Sequence, residues 1–143
     1  MKYILVATDG SEGADRAVKL ASSLAAGLGA RLAILTVGEL KPTLGKKEFV
    51  RAEHTTLADM VEEISRDILD RGRDTARAAG VKSVTTHHAN GDPTRMILDT
   101  ISNESVDMAV LGRTSHGRLD GLLEGNVPEE VVRLAPCPVV IVP

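Results

Sequence analysis

The residues best suited to chemistry in this sequence gather between Gly112 and Val127, in the stretch GRTSHGRLDGLLEGNV. The stretch contains four glycines and two arginines, together with threonine, serine and asparagine side chains. Backbone N–H groups of a glycine-rich loop can surround an anion, and arginine forms paired hydrogen bonds with phosphate oxygens. An apolar run comes just before the stretch and a helical pattern comes just after it. The composition therefore indicates a candidate phosphate-binding loop.

A second candidate is Asp9, which follows the apolar run 2–7 and precedes Gly10 and Ser11. An aspartate at such a position commonly braces the turn and caps the helix that follows. In dinucleotide-binding folds a carboxylate near a strand end binds sugar hydroxyl groups instead. Spacing alone favours the bracing role for Asp9.

The histidines and the single cysteine, which are residue types common in metal sites and in catalysis, have no suitable partners in the sequence. His87 and His88 are adjacent on a predicted strand, so they point to opposite faces and cannot bind one ion together. His54 and His116 have no partner at a metal-ligand spacing. Cys137, between two prolines, is predicted to be a small packed residue. With neither a G-x-S-x-G nor a G-x-x-x-x-G-K-[ST] motif in the sequence, we expect no metal site and no catalytic activity.

Alternating strands and helices are predicted to position these residues. Apolar, β-rich runs predict five strands, at 2–7, 32–37, 81–89, 108–111 and 139–142. Helical periodicity predicts four helices, which begin after Ser11, near Glu48, at Pro93 and after Asn126. This order of elements predicts a doubly wound α/β fold, with one parallel sheet, helices on both faces and a single domain over residues 1–143. Ligands of such folds lie beyond the carboxyl ends of the strands, here at the loops after the first and fourth strands.

Local signals predict several element boundaries. Gly27 and Gly29 are expected to end the first helix, and Gly80 the second. The third strand is the most polar, so we expect it near an edge of the sheet. Asn126 and Glu129 have the spacing of a capping box at the start of the last helix.

Composition limits the classes of partner. The 143 residues carry a formal net charge of −3, which gives no general attraction to nucleic acid or to an anionic membrane. With no Trp, one Tyr and one Phe, aromatic platforms for single-stranded nucleic acid are nearly absent. No apolar run approaches the roughly 20 residues of a membrane span, and the start of the chain is predicted to be a strand rather than a signal peptide. A single cysteine suits a reducing compartment, so we expect a cytoplasmic protein.

Three segments together are similar to one known family. The segments ATDGSEGADRAVKLA, NGDPTRMILD and LGRTSHGRLDGLLEGNVPEEVVRLAPCPVVIV resemble the universal stress protein family, and the resemblance spans the whole chain. It implies a Rossmann-like, five-stranded parallel sheet of strand order 3-2-1-4-5, as in the adenine nucleotide alpha hydrolase-like folds. It also implies a homodimer formed through the last strand, at Val139, Val140, Ile141 and Val142, which would cover an apolar sheet edge.

The resemblance also implies a nucleotide site. Relatives that bind ATP carry G-x2-G-x9-G-[ST], and this chain has Gly112, Ser115, Gly125 and Asn126 at the four marked positions. Ser115 adds a side chain where the family has glycine, and Pro128 lacks one N–H that a helix start offers to an anion. The resemblance implies that the Asp9 carboxylate binds the ribose of the nucleotide. The residues implied at the site are Ala7, Thr8, Asp9, Val37, Leu111, Gly112, Arg113, Ser115, Gly125, Asn126 and Val127.

Three functions are compatible with these residues. The first is a homodimeric stress-response protein that binds an adenine nucleotide, ATP with Mg²⁺, for regulation and without catalysis. The second is a nucleotide-free member that acts through an unidentified protein partner, using its dimer and helix surfaces. The third is a slow ATP hydrolase. Asp9, Gly112, Gly125 and the two arginines of the loop, Arg113 and Arg118, favour the first, whereas Ser115, Asn126 and Pro128 favour the second.

Overall fold

A computed structural model describes residues 1–38, 57–113 and 126–143, which form strands and helices in alternation. The strands are β1 (Tyr3–Ala7), β2 (Arg31–Gly38), β3 (Val84–Asn90), β4 (Met108–Gly112) and β5 (Val139–Val142). The helices are α1 (Glu12–Leu28), α2 (Leu57–Ala78), α3 (Pro93–Asn103) and α4 (Val127–Leu134). The strands are all parallel, in the order β3-β2-β1-β4-β5. The predicted doubly wound α/β fold is therefore confirmed. Within these three ranges no helix is long and apolar enough to cross a membrane.

Both faces of the sheet are covered, because side chains alternate along each strand. In β1, Tyr3, Leu5 and Ala7 belong to one buried cluster, and Ile4 and Val6 belong to the other. The first cluster includes residues of α3 and α4: Ile97, Ile101, Val127 and Val131. The second includes residues of α1: Ala17, Val18, Ala21 and Ala25. The alanines of α1 let that helix lie close to the sheet.

The ends of α1 and α3 match the local signals. The Ser11 side chain accepts a hydrogen bond from the Ala14 N–H, and Asp92 does the same for the Arg95 N–H at the start of α3. Gly29, at φ 64°, ends α1 in the left-handed conformation. Gly27 lies inside α1, so the prediction that it helps to end the helix is wrong.

Two boundary predictions at other elements are also wrong. Strand β3 begins at Val84 rather than at residue 81, because the Val81 N–H donates to the Ala76 carbonyl oxygen at 3.1 Å and closes the end of α2. Asn126 makes no side-chain capping bond, since its backbone (φ −103°, ψ 17°) is not in the extended conformation that a capping residue adopts. The predicted edge position of β3 is confirmed. The predicted helix start near Glu48 lies outside the described residues.

Asp107 fixes β4 against the start of β1. Its Oδ2 accepts hydrogen bonds from the N–H groups of Lys2 (2.8 Å) and Tyr3 (2.9 Å), which hold the pKa of this carboxyl below its ordinary value. The Asp107 N–H donates in turn to the Tyr3 carbonyl oxygen at 2.9 Å. Ile4 then lies opposite Met108, and the two strands reach their carboxyl ends side by side.

Candidate functional site

A crevice is expected beyond the carboxyl ends of β1 and β4, where the strand order reverses. From β1 the chain passes through α1 to β2, and from β4 it passes through α4 to β5 on the opposite side. The loops that follow these two neighbouring strands run in opposite directions. They therefore move apart and create room for a ligand. The turn 8–11 lies at one side of this position and Gly112 with Arg113 at the other.

The turn after β1 is held by its own side chains. The Thr8 hydroxyl oxygen accepts a hydrogen bond from the Gly10 N–H at 3.1 Å. Asp9 Oδ1 accepts one from the Ser11 N–H at 2.9 Å, and the Ser11 hydroxyl oxygen accepts one from the Ala14 N–H at 3.1 Å. Gly10 takes the left-handed conformation (φ 82°), and Asp9 has an exposed fraction of 0%. Asp9 thus braces the turn, as its spacing predicts.

Gly112 is a glycine for a packing reason. A Cβ at this position would lie 3.0 Å from the Gly13 carbonyl carbon, 3.1 Å from its oxygen and 3.2 Å from the Ala14 nitrogen. These are backbone atoms in the first turn of α1, so they cannot rotate away. A side chain at this position would push the end of β4 away from the start of α1 by a few tenths of an ångström, whereas glycine lets the two lie in direct contact.

Apolar residues named in the sequence analysis lie together in the core. Ala7, Val37, Leu111 and Val127 are all buried in the first core cluster. They come from three adjacent strands and the start of α4. The fold therefore brings together apolar residues from segments that are far apart in the chain.

Known proteins with the same architecture identify the family. The model of the universal stress protein family matches residues 1–143. The chain belongs to the universal stress protein family. A universal stress protein of Methanocaldococcus jannaschii is 28% identical over 141 residues, which are 99% of this chain and 81% of that protein.

Solved universal stress protein structures superimpose along the whole chain. One, in complex with cAMP, is 27% identical with a TM-score of 0.75, over 99% of this chain and 97% of that one. The universal stress protein UspA from Lactobacillus plantarum is 25% identical with a TM-score of 0.79, again over 99% and 97% of the two chains. The expected family and its fold are thus confirmed.

The remaining site residues of this universal stress protein are only partly described. Arg113 is exposed, and its N–H donates to the Val142 carbonyl oxygen at 2.7 Å, beside the end of β5. Asn126 is exposed at the start of α4. Ser115 and Gly125 lie outside the described residues.

Charges of both signs surround the crevice. Glu12 and Asp15 lie in the first turn of α1, where acids interact favourably with the helix dipole. Arg16 Nε donates to the Pro143 carbonyl oxygen at 2.9 Å, so this guanidinium lies near the end of β5, as does Arg113.

Sequence reasoning missed one side chain that contacts the turn. Arg71 in α2 donates from Nη2 to the Gly10 carbonyl oxygen and to Asp15 Oδ1, each at 3.0 Å. Nothing in the sequence distinguishes it from the other charged residues of α2. A cavity of about 200 Å³ adjoins this contact, lined by Thr8, Asp15, Val18, Lys19, Ile68, Arg71, Gly72 and Thr75.

The histidines and the cysteine that the structure describes stand apart from this site. His87 lies 3.4 Å from the Thr85 hydroxyl oxygen, whereas His88 lines a groove against α2 on the other face of β3. Among residues 1–38, 57–113 and 126–143 no three His, Cys, Asp or Glu side chains are grouped to hold a metal ion. Cys137 packs against the first core cluster, and partial burial raises the pKa of its thiol.

Proposed function

We propose that this universal stress protein binds an adenine nucleotide, ATP with Mg²⁺, beyond the ends of β1 and β4, and that it does so for regulation, without catalysis. The observation that carries the proposal is the contact of Gly112 with the first turn of α1, beside the braced turn 8–11. That contact joins the two loops at the position where ligands lie in doubly wound folds. The structure in complex with cAMP, 27% identical to this chain, supports the same ligand class.

Each part of the nucleotide has candidate partners. Ala7, Val37 and Leu111 would contact the adenine, and because each has an exposed fraction of 3% or less, the groups that cover them must move aside first. Asp9 would accept hydrogen bonds from the ribose, and because its exposed fraction is 0%, a neighbouring group must move aside first. The phosphates would be bound through backbone N–H groups and the Arg113 guanidinium. The residues proposed to contact the phosphates or to lie beside them are Thr8, Gly112, Arg113, Ser115, Gly125, Asn126 and Val127.

Calorimetry of the purified protein with millimolar ATP and Mg²⁺ tests the proposal. We expect a one-to-one binding heat that GTP does not reproduce, and no release of phosphate over hours. Because the chain has no Trp and one Tyr, nucleotide carried through purification would also dominate its near-ultraviolet absorbance. Absence of heat, together with a flat spectrum, would refute nucleotide binding. Sustained phosphate release would favour the slow hydrolase.

Arg113→Gln and Lys19→Gln provide a matched pair of variants for this titration. Both remove one positive charge from the protein, but only Arg113 lies at the end of β4. We expect an ATP affinity about 10- to 150-fold weaker for Arg113→Gln, since a charge-assisted hydrogen bond contributes about 1.5–3 kcal/mol. Lys19→Gln should leave the affinity unchanged. Equal losses in both variants would mean that only the overall charge matters.

We propose further that the protein is a homodimer that pairs β5 with its copy. All four residues of β5 are only half-buried, and the strand is an edge of the sheet. Val132 and Leu134 in the adjoining helix α4 are 52% and 53% exposed. An apolar edge of this kind favours pairing with a second strand. Light scattering after size exclusion at micromolar concentration should give a dimer mass, and a monomer mass would contradict the proposal.

Two observations favour the nucleotide-free interaction module as a second candidate. Asp9 already bonds within its own turn and is fully buried. Pro128 lacks an N–H in the first turn of α4, where a helix start offers N–H groups to an anion. Both observations reduce the polar groups that a nucleotide could use. Titration with ATP decides between the two candidates, because the interaction module gives no binding heat.

A further inference from the structure

The peptide group that links Gly10 to Ser11 is held from both ends. Its carbonyl oxygen accepts a hydrogen bond from Arg71 Nη2 at 3.0 Å. Its N–H donates to Asp9 Oδ1 at 2.9 Å. Because the two groups lie in one rigid plane, the rotation that breaks one bond also weakens the other. The Arg71 guanidinium therefore stabilises the orientation in which the peptide N–H meets the Asp9 carboxylate.

Helix α2 confines the same turn by packing. A Cβ at Gly10 would lie 3.0 Å from Ile68 Cγ1 and 3.1 Å from Ile68 Cδ1. Ile68 is almost fully buried and lies one turn before Arg71 in the helix. One face of α2 thus contacts the turn twice, through an apolar side chain and through a hydrogen bond.

The ion pair of Arg71 with Asp15 does not account for this arrangement by itself. Both side chains are about half-exposed (48% and 50%), and exposed ion pairs contribute little stability. Arg66 in the same helix forms a comparable ion pair with Glu62 at 3.5 Å, within α2. What distinguishes Arg71 is its bond to the Gly10 carbonyl oxygen.

We propose that Arg71 is a positioning residue for the ribose of the bound nucleotide. It holds the peptide group 10–11, and through that group the Asp9 carboxylate, in one orientation, which the ribose hydroxyls would meet once the neighbouring group has moved aside. This inference rests on the proposed function, because it assigns a ribose contact to Asp9. It adds a residue of α2 to a site that is otherwise formed by the loops after β1 and β4.

Binding of AMP and of 2′,3′-dideoxy-AMP to Arg71→Met tests this role, because only AMP offers the ribose hydroxyls. We expect the Kd for AMP to rise about three- to tenfold, whereas the Kd for the dideoxy compound changes less than about twofold. Arg71→Lys should fall between the wild type and Arg71→Met. Arg66→Met, the matched control in α2, should leave both values unchanged. An equal loss for both nucleotides, or no loss for either, would overturn the inference.

Amide hydrogen exchange provides a readout that needs no nucleotide. Arg71→Met should accelerate exchange of the Ser11 N–H about tenfold, whereas Asp15→Asn, which keeps the Gly10 bond, should not. Unchanged exchange in Arg71→Met would refute the effect of Arg71 on the turn. If the wild type binds neither nucleotide and gives no heat with ATP and Mg²⁺, the proposed function fails and the ribose role fails with it. The exchange rates then still show whether Arg71 holds the turn, so the two failures are distinguishable.

Discussion

Replacing Gly112 by alanine tests the contact that joins the two loops of the site. The new Cβ would lie 3.0–3.2 Å from three backbone atoms of Gly13 and Ala14. Ordinary carbon contacts lie at about 3.5–4.0 Å, so β4 and α1 must separate by about half an ångström. Overpacking of this size destabilises a protein by about 1–3 kcal/mol.

A smaller opposing effect comes from the unfolded chain. Gly112 does not have a positive φ, so alanine is compatible with its backbone conformation. Loss of the conformational freedom of glycine then stabilises the folded state by about 0.4–1 kcal/mol. We expect a net loss of about 1–2 kcal/mol in the free energy of unfolding, which lowers Tm by about 3–7 °C for a domain of 143 residues.

Thermal and urea unfolding followed by circular dichroism measure this loss. Gly27→Ala is the matched control, because Gly27 lies within α1 and a Cβ there has no neighbour within 4 Å. That change should stabilise the protein by about 0.5–1 kcal/mol, since alanine favours the helix. If Gly112→Ala proved as stable as the wild type, the close contact between β4 and α1 would not constrain this position, and the packing explanation would be wrong.

Three further predictions follow from individual contacts. Ser11→Ala removes the cap of α1 and should lower the free energy of unfolding by about 1 kcal/mol in urea titrations, whereas Ser23→Ala, in the exposed middle of the helix, should not. Asp107 has a pKa below its ordinary 3.8, so its stabilising effect is present above that value and is lost as the pH falls through the lower, folded-state pKa. The stability difference between wild type and Asp107→Asn should therefore shrink as the pH falls below 3.8, and a constant difference would contradict this explanation. Ile141→Pro removes an N–H from the edge strand β5 and should shift the mass in light scattering from dimer to monomer. An unchanged far-ultraviolet circular dichroism spectrum is the control for folding. A variant that stays dimeric would exclude β5 pairing.

Helix ends that depend on interactions within a few residues can be predicted from the sequence alone. Ser11 and Asp92 cap the helices that follow them, and Gly29 ends α1. Each of these effects joins backbone groups within one turn, so the residue type and its neighbours suffice to predict it. The alternation of apolar runs with helical patterns predicted the fold class for the same reason. The strand order came from the resemblance of whole segments to a family.

The local signal at Asn126 failed because a capping residue needs a suitable backbone conformation as well as a suitable side chain. Asn126 has the right spacing to Glu129, but its φ of −103° and ψ of 17° prevent the capping bond. At Val81 the apolar run suggested a strand, and the residue instead closes the end of α2 through the Ala76 carbonyl oxygen. In both cases the backbone conformation is set by how the neighbouring elements pack.

By itself the sequence determined the kinds of element and their order, and it predicted the two loops where a ligand would bind. Only the tertiary structure decided that Gly112 must lack a side chain because α1 is packed against it, and that Arg71 reaches the turn beside Asp9. The physical reason is that these contacts join residues far apart in the chain. Their distances depend on how helices and strands pack together, and no spacing along the sequence records that packing.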